Sequence, residues 1–310
     1  MNVQVNVTAL VVPRSLDLRR FSRAWFPESG WLREPLAPRP AQALVGARFR
    51  GAPASDEHGA LGLLDLGGDA HVVGPFPATR DDEAAWWVTE VTEVAADGGA
   101  GAVGRAWATA VAAHVGGATA VPGPATSGAL VAAVEHACAL PGAGPDAGVR
   151  EVADRAWDEV GAAGLQRAES VHGGWRTLYS PMLVDVQQAF DLLVRHGLRT
   201  SLEDAPERRR GHVGALGYTL VGRTAFDGAV VLRMYRAELE PPALRELPWR
   251  DHGPFAYELT WRPEHEGGDP GEAIDAIARR RVLPGLARIA HALRDACTGT
   301  ILTGDGFLAA

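Results

Sequence analysis

The sequence predicts a mixed α+β protein made of two similar α/β units, the product of an internal duplication, joined by a helical connector. Three observations carry that expectation. The stretch 269–308 reads as an alanine-rich amphipathic helix that ends at Thr298-Gly299 and passes directly into a short apolar strand. A fainter copy lies at 102–121, where an apolar helix, a glycine break at Gly116-Gly117 and a strand follow in the same succession. The third is length, because 310 residues exceed the usual span of a single core. The expected boundaries are an N-terminal unit over 1–122, a helical connector over 123–172 and a C-terminal unit over 173–310. Each unit is expected to run strand, helix, hairpin, strand, helix, strand, so the case for doubling rests on order and spacing.

Taken in order, Val3, Val5 and Val7 alternate with Asn2, Gln4 and Asn6, the pattern of a half-buried strand continuing to Val12. Ser15 reads as a helix cap, with Leu18, Phe21 and Trp25 at helical spacing and Pro27 as the stop. Residues 28–41 are proline-rich and read as irregular. Short apolar runs at 43–49, 61–66 and 70–73 follow, the last two joined at Gly67-Gly68-Asp69 as a hairpin. Residues 86–94 read as a further strand. The helix expected over 102–115 carries Val103, Trp107, Ala110, Val111 and His114 on one side, and 118–121 is a strand.

The connector holds two helical patterns, 127–140, capped by Ser127, and 149–160. Beyond it, 175–179 reads as a strand and Ser180-Pro181 as a helix start. The arginine-rich stretch 207–210 reads as a loop. Residues 218–224 and 229–235 flank Asp227-Gly228 as a hairpin, and Phe255, Tyr257, Leu259 and Trp261 alternate as the clearest strand in the chain. The last helix is expected to begin at Asp269-Pro270. It turns Ile274, Ile277, Val282, Leu286, Ile289 and Leu293 inward, kinks or restarts around Pro284 and precedes a strand at 300–302.

Composition excludes several chemistries. All 30 basic residues are arginine, which removes Schiff-base catalysis, a pyridoxal phosphate anchor and any phosphate-loop lysine. A GC-rich genome or selection against amine modification would each produce the bias. The net charge of -8 argues against general nucleic-acid binding, which needs a broad basic surface. Cys138 and Cys297 are too few for a disulfide framework or a zinc site and read as small buried residues. The first residues do not pair a basic with an apolar region, and no 18-residue apolar run occurs. No secretory signal or membrane contact is therefore expected, and a cytoplasmic setting is.

No metal, cofactor or nucleophile motif stands out. The triplets Asp56-Glu57-His58 and Glu264-His265-Glu266 lie in turns, where solvation explains acidic clusters. His114 and His291 read as helix-end cations. Cys138, close to Glu135 and His136, lies on a different side of its helix, and Gly304-Asp305-Gly306 reads as a turn. The tryptophans are more informative. Trp and Arg dominate binding hot spots, and Trp249-Arg250-Asp251-His252 falls between two expected strands. Trp249, Arg250 and His252, with Trp175 and Trp86, are the candidate contact residues for a protein partner.

Two functional readings follow. One is a non-enzymatic binding protein with a toxin-neutralising or assembly role. The other is an enzyme or small-molecule binder whose site lies at the interface of the halves, drawing on His172, Trp175, Tyr179, Asp251, His252 and Arg262.

Overall fold

The computed structural model describes residues 4–36, 61–67, 70–77, 84–93, 100–139, 147–163, 165–168, 174–204, 217–264 and 273–309. The triplet at 56–58, the run at 43–49, His172, His265, Glu266, the arginines at 208–210 and the expected start at Asp269-Pro270 lie outside the described residues. The class is mixed α+β, and contacts divide the chain into two compact units, Met1–Glu169 and Ser170–Ala310.

The first unit runs β1 (Gln4–Pro13), α1 (Leu18–Trp25), β2 (Gly30–Arg33), β3 (Gly62–Gly67), β4 (Ala70–Pro77), β5 (Ala84–Glu93), α2 (Ala100–Val115), β6 (Ala118–Ala120), α3 (Pro124–Ala139), α4 (Ala147–Ala163) and β7 (Gln166–Arg167). Its sheet has the order β2-β3-β4-β5-β1-β6-β7 with antiparallel pairing throughout. The helices expected as a connector complete this core. Val7, Ala9 and Val11 of β1 cluster with Leu61, Leu63, Val73 and Phe76 and with Leu130, Ala153, Ala156, Trp157 and Val160 from α3 and α4. Successive strand residues point to opposite faces. Thr8, Leu10 and Val12 are buried as well, so β1 is covered on both faces rather than half-buried.

The second unit runs β8 (Arg176–Ser180), α5 (Val186–Arg195), β9 (Arg199–Asp204), β10 (Tyr218–Arg223), β11 (Ala229–Arg236), β12 (Phe255–Arg262), α6 (Ala273–Cys297) and β13 (Thr300–Thr303). Its antiparallel sheet has the order β9-β10-β11-β12-β8-β13. The first six strands of the other sheet have the same order when β1 is set against β8, β2 against β9, and so on to β6 against β13. Leu178, Leu220, Leu232, Tyr257 and Leu259 turn toward α5 and α6, meeting Leu193, Leu286, Ile289 and Leu293 in one apolar cluster. At about 25 cal/mol per Å² of apolar surface buried, this cluster is the main source of the unit's stability.

Several local expectations are corrected. Asp17, not Ser15, caps α1, its carboxylate accepting from the Arg19 amide at 3.1 Å. Ser127 lies within α3 and donates to the Pro122 carbonyl, while Pro124 takes the first helical position, where its missing N–H costs nothing. Ser180 ends β8 rather than starting a helix. Its hydroxyl donates to the Cys297 carbonyl at 2.8 Å, and α5 begins later behind an Asp185–Gln188 capping box. Helix α6 runs through Pro284 as one element. Val103 and Ile277, expected inward, are exposed. Edge strand β2 occupies a stretch read as irregular chain, and edge strand β9 one for which no element was expected.

Candidate functional site

Three chain connections meet at the end of the second sheet where β8 finishes and β12 starts, since Ser180 pairs with Phe255, Tyr179 with Thr300, and Arg236 with Phe255. The connection from β11 to β12, residues 237–254, is built to hold its shape. It opens on Ala237, whose amide donates to the Pro254 carbonyl at 2.8 Å, which closes the neck. Two short 3-10 turns follow, Pro242–Leu244 and Trp249–Asp251, each preceded by proline, whose fixed φ favours turn entry. Leu244 is fully buried and gives the loop its own apolar anchor.

His252 serves as an internal latch. It is only 2% exposed, with Nε2 at 3.2 Å from the Leu247 carbonyl and 3.3 Å from Glu240 Oε1. Both neighbours are acceptors at neutral pH, so Nε2 carries the proton and Glu240 is tied back across the loop. The Thr300 hydroxyl donates to the Asp251 carbonyl at 2.8 Å and fastens the loop to β13. Gly253 adopts φ +58, and a Cβ there would stand 2.3 Å from the Pro181 Cα, so the loop lies directly against the β8–α5 connection.

That second connection is pinned as firmly. The Tyr257 hydroxyl accepts from the Val184 amide at 2.6 Å and donates to the Met182 carbonyl at 3.0 Å, and the Tyr218 hydroxyl donates to the Val184 carbonyl. Burial pushes the Tyr257 hydroxyl up to about 12 and raises Tyr218 further. Both phenols stay protonated and structural. Cys297 is buried beneath the same segment, donating to the Leu293 carbonyl, and burial raises its thiol, which suits a packed residue rather than a nucleophile.

On these supports the chain exposes large apolar side chains. Trp249 is 60% exposed and stacks edge-on against His252 at 5.4 Å. Leu239 on the same connection, and Met182 and Leu183 on the β8–α5 connection, are exposed as well. Arg250 also points to solvent, 3.8 Å from Asp251.

Within the second unit the expected contact residues do not share one surface. Trp249 and Arg250 lie outward on this loop, while His252, from the same tetrapeptide, faces inward. Trp175 precedes β8 at the opposite end of the sheet, a strand length of about 17 Å away, and its carbonyl accepts from the Gly304 amide. Trp86 belongs to β5 of the first unit. The expected enzyme residues divide likewise, with Asp251 and His252 at one end of the second sheet and Trp175 and Arg262 at the other. Met182, Leu183 and Leu239 were missed, and the capping box at 185–188 was the signal that frees 180–184 from the helix.

The face of the second sheet away from α5 and α6 carries a polar cluster. The Arg233 guanidinium lies 5.4 Å over the Tyr235 ring, and the Tyr235 hydroxyl hydrogen-bonds Glu258. Tyr179, with Tyr235 and Glu258 as neighbours, is pushed up to about 12, chiefly by burial. A phenol in that state is a poor base at neutral pH.

Comparison with protein-family models, curated proteins and solved structures found no match. Among the described residues no group of three or more His, Cys, Asp or Glu side chains could hold a metal ion, and no helix is long and apolar enough to cross a membrane.

Proposed function

We propose that this chain is a non-enzymatic binding protein that recognises a protein partner, in a toxin-neutralising or assembly role, through the apolar end of the second sheet. The observation that carries the reading is Trp249, 60% exposed at the crest of a loop whose neck, latch, anchor and strand contact are all fixed. Holding a large aromatic in water gains nothing for the fold. Binding to it costs little ordering entropy, because the loop is already set. Leu239, Met182 and Leu183 widen the contact, and Arg250 supplies a charge at its rim.

The same reading includes an internal duplication. The shared strand order in the two sheets supports descent of both units from one ancestral fold, with the 237–254 loop as a later elaboration of the second copy.

Native mass spectrometry of the protein purified from its own host tests the proposal. Wild-type protein is expected to carry a companion chain, and Trp249→Ala to retain at least about tenfold less of it, the effect of losing an aromatic hot spot. A companion held equally by Trp249→Ala and Leu239→Ala, or a retained small molecule that the protein turns over, would overturn it.

A further inference from the structure

The second sheet finishes differently at its two edges. At β13 the chain covers itself: the Ala309 amide donates to the Ile301 carbonyl at 2.8 Å, the Thr303 amide donates to the Phe307 carbonyl at 2.7 Å, and Leu302 bridges to Leu308. At the other edge β9 runs Arg199-Thr200-Ser201-Leu202-Glu203-Asp204 and pairs with β10 along its inner side. Arg199, Ser201, Leu202 and Glu203 are all exposed there. An edge strand is a template for pairing with a further strand, which proline, repeated charge or a bulge normally discourages. No proline interrupts β9, its bulge comes only at the far end, and its charges are of opposite sign at the two ends.

The register fixes which of these side chains share a face. Arg199 stands opposite Arg223, Arg223 opposite Ala229 and Ala229 opposite Arg262, so all four lie on the face away from α5 and α6. Glu203 reaches the same face, since its carboxylate accepts from the Arg262 guanidinium at 3.2 Å. Leu202, 49% exposed, stands opposite Leu220 of the core cluster and therefore lies on the helix side, and Thr200 shares that side by alternation.

These positions make the strand complementary to itself. When two copies of β9 run antiparallel about Ser201, Arg199 of each stands opposite Glu203 of the other on one face. On the other face Leu202 stands opposite Thr200, with the two leucines on a diagonal about 7–8 Å apart, within reach of long side chains. Opposite charges directly across a pair stabilise it and like charges destabilise it. Arg199 already meets the like charge of Arg223 on its inner side, so a carboxylate on its outer side offsets that repulsion. Parallel pairing in register would set like charge beside like charge instead.

We propose that β9 is a self-association edge, through which two copies of this chain pair antiparallel about Ser201 and join their second sheets into one of twelve strands, six from each copy. The register shift between Leu202 and Asp204 confines the match to 199–203, so the contact is small and the dimer weak and concentration-dependent. This edge is the one opposite β13, to which the Trp249 loop is tethered, and it does not depend on the role proposed for that loop.

Sedimentation velocity of the full chain over a range of concentrations tests it. Wild-type protein is expected to shift from monomer to dimer as concentration rises. Arg199→Glu alone and Glu203→Arg alone each set like charges together twice, and each should weaken the dimer about tenfold or more. Mixed in equal amounts, the two variants should dimerise again, because each then supplies the charge the other lacks. A side chain that acted only within its own fold would not be rescued by a second molecule. Thermal unfolding of each variant checks that the fold is intact. Should either charge reversal unfold the chain, Ser201→Cys reads the same pairing: a short bismaleimide should link two copies through position 201 faster than it links wild type, whose own Cys138 and Cys297 set the background. A monomer up to the solubility limit, a dimer untouched by both charge variants, no rescue on mixing, or no gain in linkage at position 201 would each overturn the proposal. A companion chain held through Trp249 differs in mass from a second copy, so native mass spectrometry separates failure of this proposal from failure of the other.

Discussion

Both sheets join their third-from-edge and fourth strands, β4 to β5 and β11 to β12, but they do so at different cost in chain. The first uses six residues, 78–83, and the second eighteen, 237–254. Six residues suffice to link neighbouring antiparallel strands. Eighteen must instead be given a structure of their own, and the second unit supplies one with a buried leucine, a histidine latch and a threonine tether. The surplus chain is therefore supported like a functional loop, and it is where the most exposed tryptophan among the described residues stands.

The most severe way to break that difference is Gly253→Ala. A side chain at positive φ against the Pro181 backbone has no room, and a loss of roughly 2–4 kcal/mol is expected in urea unfolding. Gly30→Ala in β2 of the first unit meets nothing within 4 Å and should change stability by less than about 0.5 kcal/mol.

Next in size is Tyr257→Phe, which leaves the buried Val184 amide without its partner and the Met182 carbonyl with only the Ser180 hydroxyl at 3.2 Å. About 1–3 kcal/mol should be lost, together with amide-exchange protection over 180–185. The same hydroxyl gives a pH dependence. Its folded value is raised to about 12, as is that of Tyr179, so the folded state keeps protons that the unfolded chain releases near 10. This contribution is fully present below about pH 10 and is lost as pH rises toward 12. The urea midpoint should fall over that window, and less steeply in Tyr257→Phe.

The smallest effect sharpens the contrast most. Trp249→Ala should change the unfolding free energy by no more than about 0.5 kcal/mol, because the side chain is largely in water, while abolishing partner retention. A large destabilisation would instead make Trp249 part of the loop's support.

The central strands were legible because burial writes a period into them, as in Phe255, Tyr257, Leu259 and Trp261. The edges were not. Arg199-Thr200-Ser201-Leu202-Glu203-Asp204 has no apolar alternation, since an edge strand is held by one neighbour and faces water along its other side. The exposure of Trp249 was legible from its polar company, whereas the inward turn of His252 depends on Glu240, a contact made by the folded loop and invisible in a tetrapeptide. The exposed pair Met182-Leu183 was hidden by reading Ser180-Pro181 as a helix start. Asp185 and Gln188, which cap both ways, were the stronger local signal.

One property of both sheets bears on how the molecule comes into being. The opening strand of each unit sits inside its sheet, β1 between β5 and β6, and β8 between β12 and β13. Neither finds its second neighbour until a distant strand has left the ribosome, β6 at 118–120 for β1 and β13 at 300–303 for β8, so each sheet closes slowly over distant contacts. A nascent chain halted after Cys297 would hold β8 with one flank unpaired, a sticky intermediate that Thr300–Thr303 resolves.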